Sequence, residues 1–211
     1  MRILSQCVLK EKSSNMIERI VKERRSTKET DISLELCLDG SGKYDGETGI
    51  SFFDHMLFSF VRHGLFDLTM KVKGDLTVDD HHTIEDTGIV LGSAIKHALG
   101  DKQGIRRYGS SILPMDKCLV LTAIDLGGRP YFVFDGTFTT EKVGDMNTEM
   151  VQEFFYALSY SCGMNLQMKI LQPSNNHHMT EALFKSFAKS LDEATAFDPR
   201  ITDVLSTKGS L

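Results

Sequence analysis

Two stretches decide how this chain is read: VDDHHTIEDTG at residues 78–88 and NNHHMTEALFK at residues 175–185. Each sets two adjacent histidines ahead of a glutamate in the pattern HHxxE, His81 and His82 with Glu85, then His177 and His178 with Glu181. The chain has only seven histidines in 211 residues, so the two motifs use more than half of them. One histidine pair at a helix start is as readily a cap or a lining as a ligand set. Two pairs, each with its glutamate at the same spacing, point to a duplicated chemical site.

The surroundings of the motifs repeat as well. In the first half, TDISLELCLDG (30–40) alternates apolar and polar residues from Ile32 to Leu38 and turns at Asp39-Gly40, which predicts a strand. FFDHMLFSFVRHG (52–64) has helical spacing with Gly64 as a stop, FDLTMKVKGD (66–75) alternates again, and TIEDTGIVLGSAIKHALG (83–100) is a long amphipathic helix ending at Gly100. In the second half, KCLVLTAIDLGGRPYFVFDG (117–136) predicts two strands around a Gly-Gly turn. A helix (148–163), a strand (164–171) and a last helix (178–196) follow. Each half therefore runs strand, helix, strand, helix, with its second helix opening on HHxxE. A repeat of this size means two copies of one supersecondary unit packed as a pseudo-symmetric whole.

Bulk properties bound the function. Apolar residues make up 41% and charged residues 25%, with four prolines, a globular composition for one domain or two small halves sharing a core. A net charge of −5 argues against a general binder of nucleic acid or anionic membranes. No apolar run approaches the roughly 20 residues of a membrane span, and the opening MRILSQCVLKEKSSNM is broken by charge too early for a signal peptide. The four cysteines, Cys7, Cys37, Cys118 and Cys162, lie far apart. They are expected as reduced thiols in a cytoplasmic setting, with no disulfide frame and no thiolate zinc site.

On a helix, residues three and four apart share a face, so Glu85 sits beside His81 and His82, and Glu181 beside His177 and His178. Adjacent histidines diverge by about 100°, so the two rings of a pair face two different ions more naturally than one. Imidazoles with carboxylates and no sulfur suit Mn²⁺, Fe²⁺ or Zn²⁺, and five or six N/O ligands lean towards Mn²⁺. His55, in FFDHMLF, lies on the helix before the first motif; taken alone it is a core histidine, but its place in the repeat makes it a third ligand. The matching position in the second half is Glu153, in VQEFF. His63 and His97 have no counterpart and are read as surface or helix-end residues.

A second theme is basic. Arg106 and Arg107 (GIRRYG), Arg129 (GGRPY), Lys185 one turn past Glu181, and Lys208 (STKG) stand near glycines or helix starts. Such loops present guanidinium, ammonium and backbone N–H groups to an anion, with phosphate as the expected one. Arg106 alone reads better as solvated surface charge.

The motifs RSTKETDISLELCLDGSG, TGISFFDHML, GDLTVDDHHTIEDTGIVLG, ALGDKQGIRRYG, PMD, GRPY, NNHHMTEALFK and STKG together resemble the imidazoleglycerol-phosphate dehydratase family, from about Arg24 to Leu211. The resemblance implies an α+β fold: a tandem duplication of a half-domain with a four-stranded sheet and two helices on one face (ribosomal protein S5 domain 2-like). These assemble as a large symmetric shell of 24 subunits. It implies an N-terminal extension over residues 1–20, outside the resemblance and expected to be disordered. Residues 21–211 would be the dehydratase domain, in repeats of about 21–105 and 106–211. It also implies sites between subunits with two Mn²⁺, one held by His55, His82, His177 and Glu181, the other by His81, Glu85, His178 and Glu153. The implied reaction removes water from imidazoleglycerol phosphate to give imidazole-acetol phosphate. Glu181 and Glu29 (in TKET) would be the acid and base, and Arg107, Arg129, Lys185, Ser206, Thr207 and Lys208 would contact substrate and phosphate alongside Glu29. The metal would act there as a Lewis acid on the electron pair that proton removal leaves behind.

The chain departs from the family pattern at Glu153, where many relatives have histidine, at Lys117, where PMDE reads PMDK, and near Gln167, where a common histidine is absent. Two rival readings stand beside the resemblance. DDHH is similar to a motif of metal phosphoesterases, though their further aspartate motifs are missing. A metal-dependent structural shell is the other rival, against which TKET and STKG argue.

Overall fold

The computed structural model describes the backbone of residues 4–11 and 17–211 and the side chains from Arg19 onward. The first half contributes β1 (Leu4–Glu11), β2 (Ile17–Ser26), β3 (Thr30–Cys37), β4 (Lys43–Glu47), α1 (Ser51–Gly64), β5 (Asp67–Gly74) and α2 (His81–Leu99). The second contributes β6 (Tyr108–Met115), β7 (Cys118–Asp125), β8 (Tyr131–Asp135), the short pair β9 (Lys142–Val143) and β10 (Met146–Asn147), α3 (Met150–Cys162), β11 (Asn165–Gln172) and α4 (Asn176–Thr195).

The duplication is explicit in the strand orders. The first sheet runs β1-β2-β3-β5-β4 and the second β6-β7-β11-β8. In both, the first three shared strands pair antiparallel and the last pairs parallel, β4 beside β5 and β8 beside β11. The four-stranded expectation is met in the second half. In the first it is exceeded by β1, which pairs antiparallel with β2 from Leu4↔Arg24 to Glu11↔Ile17. Leu4–Glu11 of the N-terminal extension, expected to be disordered, is thus a strand, because it satisfies the otherwise open backbone edge of β2. Residues 1–3 and 12–16 of that extension lie outside the described residues.

Besides β1, the strands not anticipated from sequence are β2, β4, β6 and the short pair β9 and β10. β4 is an edge strand, KYDGE, with a half-buried/exposed alternation that leaves little apolar signal. The alternation that was legible is the alternation that is buried: Ile32, Leu34 and Leu36 in β3, and Cys118, Val120 and Ile124 in β7, all point into the core.

The helices of the two halves pack against each other between the sheets, α1 with α4 and α2 with α3. The centre is aromatic, with Phe53, Phe154, Phe155, Phe184, Phe60 and Phe187 in mutual ring contact and each almost fully buried. Burying one such ring is worth about 1.5–3 kcal/mol. On α2, Gly88 and Gly92 let α3 approach closely: a Cβ on Gly92 would lie 2.3 Å from the backbone oxygen of Leu158. Helix starts are also tied across the halves. Asp145, between β9 and β10, accepts from the backbone N–H groups of Ser51 and Phe52 at 2.7 and 2.9 Å, capping α1 from the other repeat. Asp80 at the start of α2 is bound by both the backbone and the side chain of Asn147. These ties fix where the histidine motifs sit.

Candidate active site and metal centre

Glu181 is nearly buried on α4, 8% exposed, and three groups converge on it. Its Oε2 lies 3.2 Å from His177 Nε2 and 3.5 Å from His55 Nε2, the latter from α1. Its Oε1 lies 2.7 Å from Lys185 Nζ, one turn along the same helix. Burial pushes the Glu181 carboxyl up, but the hydrogen bond and charge of Lys185, with His55 and His177, outweigh it and hold the group below the usual carboxylate range. Phe52 presses edge-on against the His177 ring, with centroids 5.1 Å apart. Asn175 caps α4, its side chain accepting from the backbone N–H of His178 at 2.9 Å.

Donor atoms of His55, His177 and Glu181 all lie within 4.8 Å of one another, and among the described residues this is the one such group of three. Ligands about 2.0–2.2 Å from a common ion stand about 3 Å apart along the edges of their polyhedron, and Glu181 Oε2 lies at 3.2 and 3.5 Å from the two imidazoles, close to that spacing. Two imidazoles and a carboxylate are also a competent N/O donor set. The residues fit a divalent cation.

The first motif is arranged otherwise. His81 Nε2 stands 3.5 Å from Glu85 Oε2, the counterpart of His177 with Glu181. Glu153 is half-buried in the first turn of α3, and among the described residues no third donor joins His81 and Glu85 within the same reach. His82 turns its Nδ1 towards both oxygens of Asp75, at 3.2 and 3.1 Å, which raises its pKa. Its Nε2 stands 3.9 Å from Glu29 Oε1. His178 has its Nδ1 buried without a hydrogen bond, 3.5 Å from Asp116. The rings of each pair stand nearly perpendicular, at 80° and 90°, so adjacent histidines do face different directions. Of the four ligands expected at the first ion, the chain brings together three, and His82 is not among them.

Glu29 is exposed on the turn between β2 and β3, where Thr27 Oγ1 accepts from the backbone N–H groups of Glu29 and Thr30. Thr30 in turn donates to Asp86, which also pairs with Arg25 in a nearly buried ion pair. That network ties the Glu29 turn to α2, and nothing in the residue spacing announced it.

The expected anion contacts separate into two places. Arg107, Arg129, Ser206, Thr207 and Lys208 line a cavity of about 1160 Å³ beneath the C-terminal segment, together with Lys96 and Lys102. Lys185 instead stays with Glu181. Arg107 already makes a forked pair with Asp125, at 2.7 and 3.1 Å, and donates to the Leu205 carbonyl, so it braces the cavity as well as charging it. Lys102, missed in the sequence, has its pKa lowered by burial and donates to the Leu126 carbonyl; its signal was its place just past Gly100. His97, read as a surface or helix-end residue, stands in the last turn of α2 and pairs there through Nδ1 with the buried carboxylate of Glu23. A cation-ligand role is not needed to explain it.

Comparisons with known proteins identify the family and the fold. The sequence profile of the family described as imidazoleglycerol-phosphate dehydratase matches residues 48–191. The imidazoleglycerol-phosphate dehydratase of Lachnoclostridium phytofermentans is 64% identical over 195 residues, covering 92% of this chain and 100% of that protein. The one from Acetivibrio thermocellus is 57% identical with the same coverage. The crystal structure of imidazoleglycerol-phosphate dehydratase from Staphylococcus aureus superposes with a TM-score of 0.77 at 33% identity, over 85% of this chain and 99% of that one. With the motifs, the doubled fold and the matches over nearly the full length in accord, this chain belongs to the imidazoleglycerol-phosphate dehydratase family, the hydro-lyases of histidine biosynthesis.

Proposed function

We propose that this dehydratase performs its elimination at a site completed by two or more copies of the chain and holding two Mn²⁺. The observation that carries the reading is the split within one chain: His55, His177 and Glu181 converge, while His82 and Glu29 face away on another element. A fourth ligand for the triad is then supplied by His82 of a neighbouring copy. By the repeat, His81, Glu85 and Glu153 of one copy receive His178 of another. Reciprocal exchange of this kind closes only in a symmetric assembly, and the family resemblance suggests 24 subunits. Mn²⁺ supplies a Lewis acid that makes the substrate's carbon-bound proton easier to remove.

The chain's own residues then divide the work. Water leaves as a carbon-bound proton plus a hydroxyl group, so one group must accept a proton and another must return one to the departing hydroxyl. Glu181, kept ionised by Lys185, starts as the acceptor, and its weak basicity suits a proton already acidified. Glu29, exposed at the surface and with its backbone N–H held by Thr27, serves as the partner acid/base. The enol left behind takes up a proton at carbon and gives up its hydroxyl proton, which yields the ketone of imidazole-acetol phosphate. The cationic cavity of Arg129, Lys208 and Lys102, with the hydroxyls of Ser206 and Thr207, holds the phosphate. Phosphoester cleavage is not favoured, because the family match is to a dehydratase. Among the described residues no helix is long and apolar enough to cross a membrane, and we place the enzyme in the cytoplasm, where buried thiols such as Cys118 and Cys162 stay reduced.

Metal analysis after Mn²⁺ loading tests the reading, with about two Mn²⁺ expected per chain. Native mass with and without chelator should show a large particle falling to smaller species, since metal that bridges copies stabilises the assembly. A large particle that persists with no metal would refute the shared site.

A further inference from the structure

Asp75 takes no part in the scheme above, yet among the described residues it is the one whose side chain hydrogen-bonds to the His82 ring. It follows Gly74, the last residue of β5, and both its oxygens lie within hydrogen-bond reach of His82 Nδ1, at 3.2 and 3.1 Å. An ionised carboxylate can only accept, so Nδ1 carries the proton, and in the neutral ring Nε2 keeps its lone pair. That nitrogen lies on the far side of the ring, and among the described residues its one ion-pair contact is Glu29, at 3.9 Å, beyond hydrogen-bond distance. The arrangement is rigid: a Cβ on Gly74 would stand 2.0 Å from Thr83 Oγ1, so the strand end bearing Asp75 is pressed onto the first turn of α2.

The second repeat provides the contrast. His178, the counterpart of His82, has a buried Nδ1 with no hydrogen bond. The nearest carboxylate, Asp116, is 3.5 Å away with its side chain 74% exposed, against 26% for Asp75. A buried N–H without a hydrogen-bonded acceptor is costly, so a proton on that Nδ1 is favoured far less than on His82.

We infer that Asp75 is a positioning residue that locks His82 in the Nδ1–H tautomer and so presents the Nε2 lone pair to a divalent cation. The second pair lacks such a partner, and the two cation sites are therefore unequal in readiness. The cation part rests on the metal reading proposed above; the tautomer part does not. Carboxylate–histidine pairs of this kind orient metal ligands, and their loss typically costs 10- to 100-fold in affinity.

Two measurements test it. Nitrogen-15 NMR of histidine-labelled, metal-free protein should show His82 protonated at Nδ1, lost in Asp75→Ala and kept in Asp75→Asn, whose amide oxygen still accepts. Calorimetric titration with Mn²⁺ alone should show one of two sites weakened about 10- to 100-fold in Asp75→Ala and the other unchanged, with Asp75→Asn close to the parent. A proton on Nε2 of His82 in the parent overturns the inference outright. Two full-affinity Mn²⁺ sites in a folded Asp75→Ala variant overturn it while leaving the metal reading intact. An Nδ1-protonated parent that takes up no Mn²⁺ overturns the cation role and the metal reading together.

Discussion

The two HHxxE motifs began as copies, and their surroundings now differ at the residue one helical turn past the glutamate. After Glu181 stands Lys185, 2.7 Å from the carboxylate; after Glu85 the same place holds Ile89. Glu181 is nearly buried, its side chain 10% exposed, whereas that of Glu85 is 38% exposed. The same backbone frame therefore holds one carboxylate with a fixed charge state in a confined place and another that is open to water. Under the proposed mechanism proton transfer falls to the Glu181 copy alone.

The largest effect expected from that contrast is on turnover. Glu181→Gln keeps shape and an acceptor oxygen but loses basicity, so kcat should fall at least about 10²-fold at saturating Mn²⁺ with occupancy verified in the same sample. Glu85→Gln under the same conditions should lose much less once its site is filled. Equal losses would erase the distinction between the halves, and near-normal turnover of loaded Glu181→Gln would move the base role to Glu29.

A second contrast lies one residue on, where α2 has Asp86 and α4 has Ala182. Asp86 neutralises Arg25 inside the protein, with side chains 8% and 12% exposed. Asp86→Ala strands a buried guanidinium and should cost about 3–5 kcal/mol in urea unfolding, along with the placement of the Glu29 turn. A loss under about 1 kcal/mol would mean that water reaches Arg25 freely.

Close packing also differs between the pairs. α2 presents Gly88 and Gly92 to α3 where α4 carries Phe184 and Ala188. Gly92→Ala must push the Leu158 carbonyl aside, and the expected cost is about 1–3 kcal/mol, read from the thermal midpoint. Ala188→Gly makes no room that anything needs and should cost about 1 kcal/mol through helix propensity.

The smallest effect concerns caps. α1 is capped from the other repeat by the carboxylate of Asp145, α4 by the neutral side chain of Asn175. Partial burial pushes the Asp145 carboxyl up, but the N–H groups of Phe52 and Ser51 outweigh it and hold the group below its ordinary 3.8. Its contribution is therefore present above about pH 4 and is lost as pH falls through the depressed folded value. Asp145→Asn should cost about 1 kcal/mol at neutral pH and flatten this part of the acid dependence. A variant with an unchanged acid limb would assign that limb to other carboxylates.

What the residues alone disclosed was everything that depends on spacing along one element. Alternation in β3 and β7 and helical periodicity in α1 to α4 come from local geometry and burial on one face, so the repeat and the sharing of a face by His177 and Glu181 could be read directly. Edge strands such as β4 escaped, because a strand with half its residues in water has little pattern to show. The tertiary structure alone decided which elements meet. It brought His55 to Glu181 through the packing of α1 on α4, turned His82 away to Asp75, drew Arg107 onto Asp125, and sorted the basic residues between the Glu181 pocket and the C-terminal cavity. Those outcomes hang on contacts between residues far apart in the chain, whose energies are set by three-dimensional packing and charge pairing, and no spacing rule along a single element encodes them.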